Sequence, residues 1–297
     1  MIFGKNTTKQ GVAMADSTIR NKMKIKITTK RMMHSTLSGD YLSAFKGTGL
    51  EFHQIRTYQL GDDVRTIDWK SSAKMNNIMV KEFIEDRERT IIVAMDTSAS
   101  LAYGSATTRK QESMQDVAAA LTCIAQENKD NIGLILFNDT VHTAIPAKKG
   151  LAHASTILQA IYASKARGLT NFEALNEHLL KHMKKNVVLI IVSDWLCNNS
   201  DQLSFFKTLT KLYDLIAIRI TDPCEQKLPD VGYLEIQDPE TGQQALINAA
   251  SLNHFLHEQE LEQQYFFNRN RISSLQVTAG SLFIPALARF LQHRSRR

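Results

Sequence analysis

Two short apolar runs constrain this chain most: Ile91-Ile92-Val93-Ala94-Met95 and Val187-Val188-Leu189-Ile190-Ile191-Val192. A run of this length, rich in β-branched residues and bounded by small polar residues, is the pattern of a strand buried on both faces of a parallel sheet. Each run leads into an aspartate. Asp96 opens Asp96-Thr97-Ser98-Ala99-Ser100, and Asp194 stands in Ser193-Asp194-Trp195. Parallel strands share one carboxyl edge, and open α/β sheets place ligands in crevices at that edge. The two carboxylates are therefore expected to emerge on the same side of one sheet.

The rest of the chain supports that architecture. From Thr90 onward, apolar runs alternate with helical patterns: strand 91–96, helix 110–127, strand 132–138 and a hairpin partner near 140–146. Helices near 150–163 and 172–184, strand 187–193, helix 201–213 and strand 214–220 follow. Such alternation predicts a doubly wound, mostly parallel α/β sheet with helices on both faces. Residues 89–222 form this main domain. Residues 30–88 read as a small β-rich region of short strands and turns packed on it, with turn chemistry at Leu60-Gly61-Asp62-Asp63. Residues 1–29 are expected to form a mobile basic arm. After Pro223, residues 223–297 read as a β-hairpin across Asp238-Pro239-Glu240-Thr241-Gly242, a helix of about twenty residues from Ser251, a short strand near 275–278 and a helix near 282–292.

Charge excludes one class of partner. The chain carries a formal net charge of +6, yet residues 1–34 hold eight Lys or Arg against the single acid Asp16. The remainder holds 28 basic and 29 acidic residues, so the folded body is close to neutral. A nucleic-acid-binding body needs basic residues gathered on its surface, and none cluster here. The three cysteines, Cys123, Cys197 and Cys224, are widely spaced without a C-x-x-C motif, which points to a reducing compartment. No signal-peptide core is visible at the N-terminus, and no apolar run approaches the roughly 18–20 residues that span a bilayer. A cytoplasmic protein without an integral membrane segment is expected.

Asp96, Ser98 and Ser100 offer one carboxylate and two hydroxyls at alternate positions. This is a hard, oxygen-only set that suits Mg²⁺ or Mn²⁺ better than zinc. The competing role is structural, an N-cap for a following helix. Thr170, in Gly168-Leu169-Thr170-Asn171, either caps the helix at 172 or joins the set. Two unpaired carboxylates that converge repel each other and raise one pKa. A divalent cation removes the conflict. Asp96, Ser98, Ser100, Thr170 and Asp194 would then supply two negative charges and three neutral oxygens, leaving room for one more oxygen ligand.

Other chemistry has weaker support. His178 and His182 share a helix face at i and i+4 without a visible third zinc ligand. Gly47-x-Gly49 lacks the context of a dinucleotide loop, and neither a phosphate-binding G-x-x-x-x-G-K-[ST] motif nor a G-x-S-x-G elbow occurs. Asp62, Asp63, Asp68, Arg56, Arg65 and Arg87 read as Arg–carboxylate pairs that dock the small region on the sheet, with an acid/base constellation as the alternative.

D-x-S-x-S with a distant Thr and a later Asp resembles the metal-ion-dependent adhesion site of von Willebrand factor type A domains. The upstream blocks Gly47-Thr48-Gly49-Leu50-Glu51-Phe52, Arg56-Thr57-Tyr58, Gly61-Asp62-Asp63-Val64-Arg65-Thr66-Ile67-Asp68-Trp69, Ala73-Lys74 and Val80-Lys81-Glu82-Phe83 resemble the signature of one bacterial family. That family is catalogued as domain of unknown function fifty-eight, whose type A domains are encoded beside MoxR-type AAA+ ATPases. Leu228-Pro229-Asp230-Val231-Gly232 and the turn at 238–242 fit its C-terminal part. The chain departs from the family at Lys74, where Arg is usual, and at Leu101, where Met is usual. The resemblance implies a von Willebrand factor type A-like fold over 89–222 and a Mg²⁺ or Mn²⁺ ion on Asp96, Ser98, Ser100, Thr170 and Asp194. It also implies a non-enzymatic module that docks a carboxylate of a MoxR-type AAA+ ATPase or of its client.

Two other functions compete. A metal-dependent phosphohydrolase of the haloacid-dehalogenase type also starts from an Asp after an apolar strand, but it needs an acid at the position of Ser98. A hydroxyl is a poor general acid near neutral pH. A binder of anionic surfaces would act through the basic termini.

Overall fold

The computed structural model describes residues 50–85, 90–105, 108–183, 187–196, 206–226, 228, 232–237 and 244–295. The basic arm, Gly47-Thr48-Gly49, Arg87, Cys197 and the turn at 238–242 lie outside the described residues.

The main sheet has six strands: β3 (Thr90–Asp96), β4 (Asn131–Phe137), β5 (Val141–Lys148), β6 (Val188–Ser193), β7 (Asp214–Thr221) and β10 (Ser273–Thr278). Their spatial order is β10-β7-β6-β3-β4-β5. All neighbours pair in parallel except β4 and β5, which form an antiparallel edge. The doubly wound, mostly parallel sheet read from the apolar runs is therefore present. Apart from Thr90 at the start of β3 and Asn131 at the start of β4, every residue of these two strands is buried, which is why neither strand alternates in polarity.

The strand period of two divides the core. Ile91, Val93 and Met95 face one layer with Met114, Val117 and Leu121 of α2 (Lys110–Glu127), Ile157 and Ile161 of α3 (Leu151–Ala163), and Leu287 and Leu291 of α8 (Ile284–Ser295). Ile92 and Ala94 face the other, with Phe172, Leu175 and Leu179 of α4 (Phe172–His182), Phe206 and Leu209 of α5 (Phe206–Leu212), and Phe267 of α7 (Ala249–Arg269). Gly133 on β4 allows close approach of the edge strand. A Cβ there would stand 2.7 Å from Ile92 Cδ1 and 2.9 Å from the Ile145 carbonyl oxygen.

The chain order creates a crevice. From β3 the chain winds outward through β4 to β5, then returns to the opposite side of β3 as β6 and winds outward again through β7 to β10. The helix after β3 packs on one face, and the helix after β6 packs on the other. The carboxyl ends of β3 and β6 thus flank the topological switch point, where sheets of this kind open for ligands.

The region before β3 corrects one expectation. It is not purely strand and turn. Besides the antiparallel pair β1 (Leu50–Thr57) and β2 (Met79–Glu85), it contains a helix, α1 (Trp69–Met75), capped by the Asp68 carboxylate on the Lys70 and Ser71 amides. Arg56 does form the anticipated bidentate pair, both nitrogens lying 2.7 Å from Asp62. That pair holds Asp62 down to about 2, chiefly through the Arg56 hydrogen bonds. The pair closes within the hairpin rather than across to the main sheet. Asp63 caps a 3₁₀ turn at Val64–Thr66, and Asp68 also meets Lys81 at 3.7 Å, so neither carboxylate is left for acid/base work.

After β7, a four-residue helix α6 (Pro223–Gln226) leads to the antiparallel pair β8 (Tyr233–Gln237) and β9 (Gln244–Asn248), then α7. This matches the hairpin and long helix read from the sequence. No helix among the described residues is long and apolar enough to cross a membrane.

Candidate metal centre

Asp96 ends β3 with 1% of its surface exposed. Its Oδ1 accepts the Ser98 amide at 2.8 Å, which curls the next residues back over the strand end. Its Oδ2 accepts the Ser193 hydroxyl at 2.7 Å and the Thr170 hydroxyl at 3.3 Å. Ser98 and Ser100 place their hydroxyl oxygens 3.0 Å apart. Ser98 precedes a 3₁₀ turn (Ala99–Ala102) but makes no side-chain capping bond. Its hydroxyl is directed to the cluster instead, which decides against the capping role.

Thr170 reaches this cluster because a strap holds its loop down. The Arg167 amide donates to the Thr97 carbonyl at 2.7 Å, and the Ala99 amide donates to the Gly168 carbonyl at 2.9 Å. Asn138 secures the strap from β4, with its side-chain amide on the Arg167 carbonyl at 3.0 Å. Gly168 turns here with φ +75°, and a Cβ would lie 2.8 Å from Asp139 Oδ1. The cap of α4 is Asn171, whose Oδ1 accepts from the Glu173 and Ala174 amides. Thr170 is therefore not the helix cap, and its hydroxyl meets Asp96.

Asp194 follows β6, one strand over, and is equally buried. Trp195 next to it adopts the left-handed region at φ +57°. Such a conformation costs an ordinary residue on the order of 1 kcal/mol and persists only where surroundings enforce it. They do: the Trp195 amide donates to Ser193 Oγ at 3.0 Å, its indole N–H to the Ile218 carbonyl at 3.2 Å, and Gln263 donates to its carbonyl at 2.7 Å. The indole also packs against Phe172, Phe206 and Phe267 at 5.1–5.2 Å between ring centroids. This anchoring fixes where Asp194 points.

The electrostatics follow from burial. Loss of water, and then the neighbouring Asp194 charge, push Asp96 up to about 7 despite its hydrogen bonds. Asp194 has its own partner, one that sequence reasoning missed. Lys110, the first residue of α2, is buried with its ammonium 3.1 Å from Asp194 Oδ2 and 2.6 Å from Glu225 Oε1. Burial alone would lower the Lys110 pKa, but Asp194 and Glu225 together raise it. Glu225 in turn accepts the Asp222 amide at 2.9 Å, and Asp222 accepts from Ser105 and from the Cys224 amide at 2.9 Å. Ser193 was the other omission. It orients the Asp96 carboxylate and buttresses Trp195 with one hydroxyl.

The donor set fits a small, hard divalent cation. Ligands 2.0–2.1 Å from an octahedral Mg²⁺ lie about 3.0 Å apart along each edge. The Ser98–Ser100 separation of 3.0 Å is of that size, and the Asp96–Thr170 separation of 3.3 Å is slightly wider. Among the described residues no group of three or more His, Cys, Asp or Glu side chains gathers as a metal cluster. The oxygens here come from hydroxyls and two carboxylates, which is the chemistry of Mg²⁺ or Mn²⁺ rather than of a thiolate–imidazole zinc site. His178 and His182 stack with ring centroids 4.7 Å apart on α4 and belong to no such cluster.

Comparison with known proteins places this chain in a family. Solved structures similar to the chain include BatB from Bacteroides thetaiotaomicron, 11% identical, covering 70% of this chain and 100% of that one with a TM-score of 0.48. An aerotolerance-related membrane protein from Bacteroides fragilis is 12% identical over the same shares, with a TM-score of 0.49. An uncharacterised protein of Mycobacterium tuberculosis is 30% identical over 223 residues, 73% of this chain and 69% of that protein. The family described as protein of unknown function DUF58 matches residues 54–264, from the Arg56–Asp62 hairpin to the long helix beside Trp195. The chain belongs to the DUF58 family.

Proposed function

We propose that the chain is a non-enzymatic, metal-dependent protein-binding module of the adhesion-site type. Asp96, Ser98, Ser100, Thr170 and Asp194 would hold Mg²⁺ or Mn²⁺, and a carboxylate of a partner protein would complete the coordination. The observation that carries this reading is the convergence on Asp96. Segments far apart in sequence bring the Thr170 and Ser193 hydroxyls to the buried Asp96 carboxylate at the switch point, which also accepts the Ser98 amide, and the Ser98 and Ser100 hydroxyls lie 3.0 Å apart beside it. A bound ion supplies a charge-assisted anchor for an incoming carboxylate. The chain's own residues orient the oxygens and exclude water from the floor of the site.

The partner class comes from the family resemblance: a MoxR-type AAA+ ATPase or a client that such an ATPase remodels. Residues 89–222 would carry the site, while 30–88 and 223–297 would add contact surface. A cytoplasmic location accords with such a partner. Affinity capture from the native cell, with and without chelator, tests the proposal and names the partner. Capture of an ATPase or its client that is lost with chelator and with Asp96→Ala supports it. Capture that is indifferent to both refutes it.

A further inference from the structure

We infer that Lys110 is the resident counter-cation of this site: its ammonium holds Asp194 while no divalent ion is bound and competes with the ion for that carboxylate. The inference rests on the metal-site reading above and concerns how that site is regulated.

The position of Lys110 is unfavourable for its helix. It is the first residue of the 18-residue α2, where the positive end of the helix dipole disfavours a cation. Its side chain is only 3% exposed, although an ammonium is a strongly hydrated point charge. Such a group stays buried only where anions compensate it. Two anions pair with it directly, Asp194 Oδ2 at 3.1 Å and Glu225 Oε1 at 2.6 Å, and the Asp222 carboxylate lies near enough to feel its charge.

The arrangement makes the two aspartates unlike. Asp96 is surrounded by hydroxyl and amide donors of Ser98, Thr170 and Ser193, all neutral. Asp194 is already neutralised: Oδ2 by the ammonium, with Oδ1 accepting the Leu196 amide at 3.3 Å. A divalent ion entering beside Asp96 gains less from Asp194 than from a free carboxylate, and it meets the repulsion of Lys110. Glu225 gives the ammonium a second seat. When the ion claims Asp194, the ammonium can shift toward Glu225 without losing a partner. The ion is then held firmly only when an external carboxylate adds its charge, so metal and partner bind cooperatively.

The experiment is a Mn²⁺ titration, by calorimetry, of the wild type, Asp96→Ala and the double variant Lys110→Met/Glu225→Gln. The double variant removes one cation and one anion together, so the net charge of the cluster is unchanged while Asp194 loses the ammonium and is left for the ion. It should bind Mn²⁺ at least about tenfold more tightly than the wild type, because a like charge beside the ion is gone. Equal or weaker binding by the folded double variant, with Asp96→Ala blind to Mn²⁺, overturns the counter-cation role and leaves the metal site standing. Unchanged binding in Asp96→Ala, or none in the wild type and the double variant alike, overturns the metal site and this inference with it. Should the double variant not fold, the wild type decides. A protected Lys110 ammonium signal in ¹⁵N NMR, assigned by its loss in Lys110→Arg, should shift on saturation with Mg²⁺. A signal that stays in place overturns the inference.

Discussion

Replacing Asp96 by Asn should stabilise the metal-free protein, and by an amount that depends on pH. The Asp96 carboxyl titrates near 7 in the fold, first because it is buried and then because Asp194 stands nearby. In the unfolded chain it titrates near 4, as an ordinary aspartate does. Between those values the native state holds a proton that the unfolded state has released. Stability from this group is therefore complete below about pH 4 and is lost as pH rises through about 7. Three pK units correspond to about 4 kcal/mol. Asparagine carries no charge and its oxygen can still accept the Ser98 amide. Its NH₂ group faces the Ser193 and Thr170 hydroxyls, which must turn from donors to acceptors, at a cost of about 1 kcal/mol. The variant should thus exceed the wild type by about 3 kcal/mol at about pH 8 in chelator, and the gap should narrow by roughly 2–3 kcal/mol toward about pH 5. Mg²⁺ at a hundredfold excess over Kd should nearly close the gap at about pH 8, because a ligand that binds only the native state stabilises it by about 2.7 kcal/mol there. Urea unfolding at the two pH values measures this directly. An Asn variant less stable than the wild type at about pH 8, or a gap independent of pH, would mean that the Asp96 carboxyl is not raised in the fold.

Three further substitutions probe the scaffold around the site. Thr170→Val removes a hydroxyl from Asp96 but leaves the Asn171 cap of α4, so Mn²⁺ affinity should fall by about tenfold or more while the melting temperature stays near that of wild type. Trp195→Ala empties the aromatic cluster formed with Phe172, Phe206 and Phe267 and should cost about 3–5 kcal/mol in urea unfolding. Gly133→Ala forces a Cβ to 2.7 Å from Ile92 Cδ1 and should cost about 1–3 kcal/mol by the same assay.

What was legible in the sequence was local or periodic. The apolar runs of β3 and β6 declare themselves because both faces are buried, and α2 occupies Lys110–Glu127 as its pattern predicts. Asp96, Ser98 and Ser100 could be grouped because they lie within five residues. Helix α1 escaped because Trp69–Met75 buries none of its residues and so writes no apolar stripe; its one signal was the Asp68 cap. Thr170 fits two roles in the sequence, and the two capping bonds of Asn171 decide between them. Lys110 could not be found by pattern at all. A lysine beside an arginine at a helix start reads as a solvated charge, and its two anions lie 84 and 115 residues away. Only the sheet order brings them together.

In the proposed centre these oxygens hold one divalent ion whose coordination a partner carboxylate completes. Mn²⁺ titration followed by electron paramagnetic resonance, with acetate as the stand-in carboxylate, tests it most directly. One saturable ion should bind the wild type, more tightly as acetate is added, and none should bind a folded Asp96→Ala variant. A wild type that binds no ion even in acetate, or an Asp96→Ala variant that binds as well as the wild type, would contradict it.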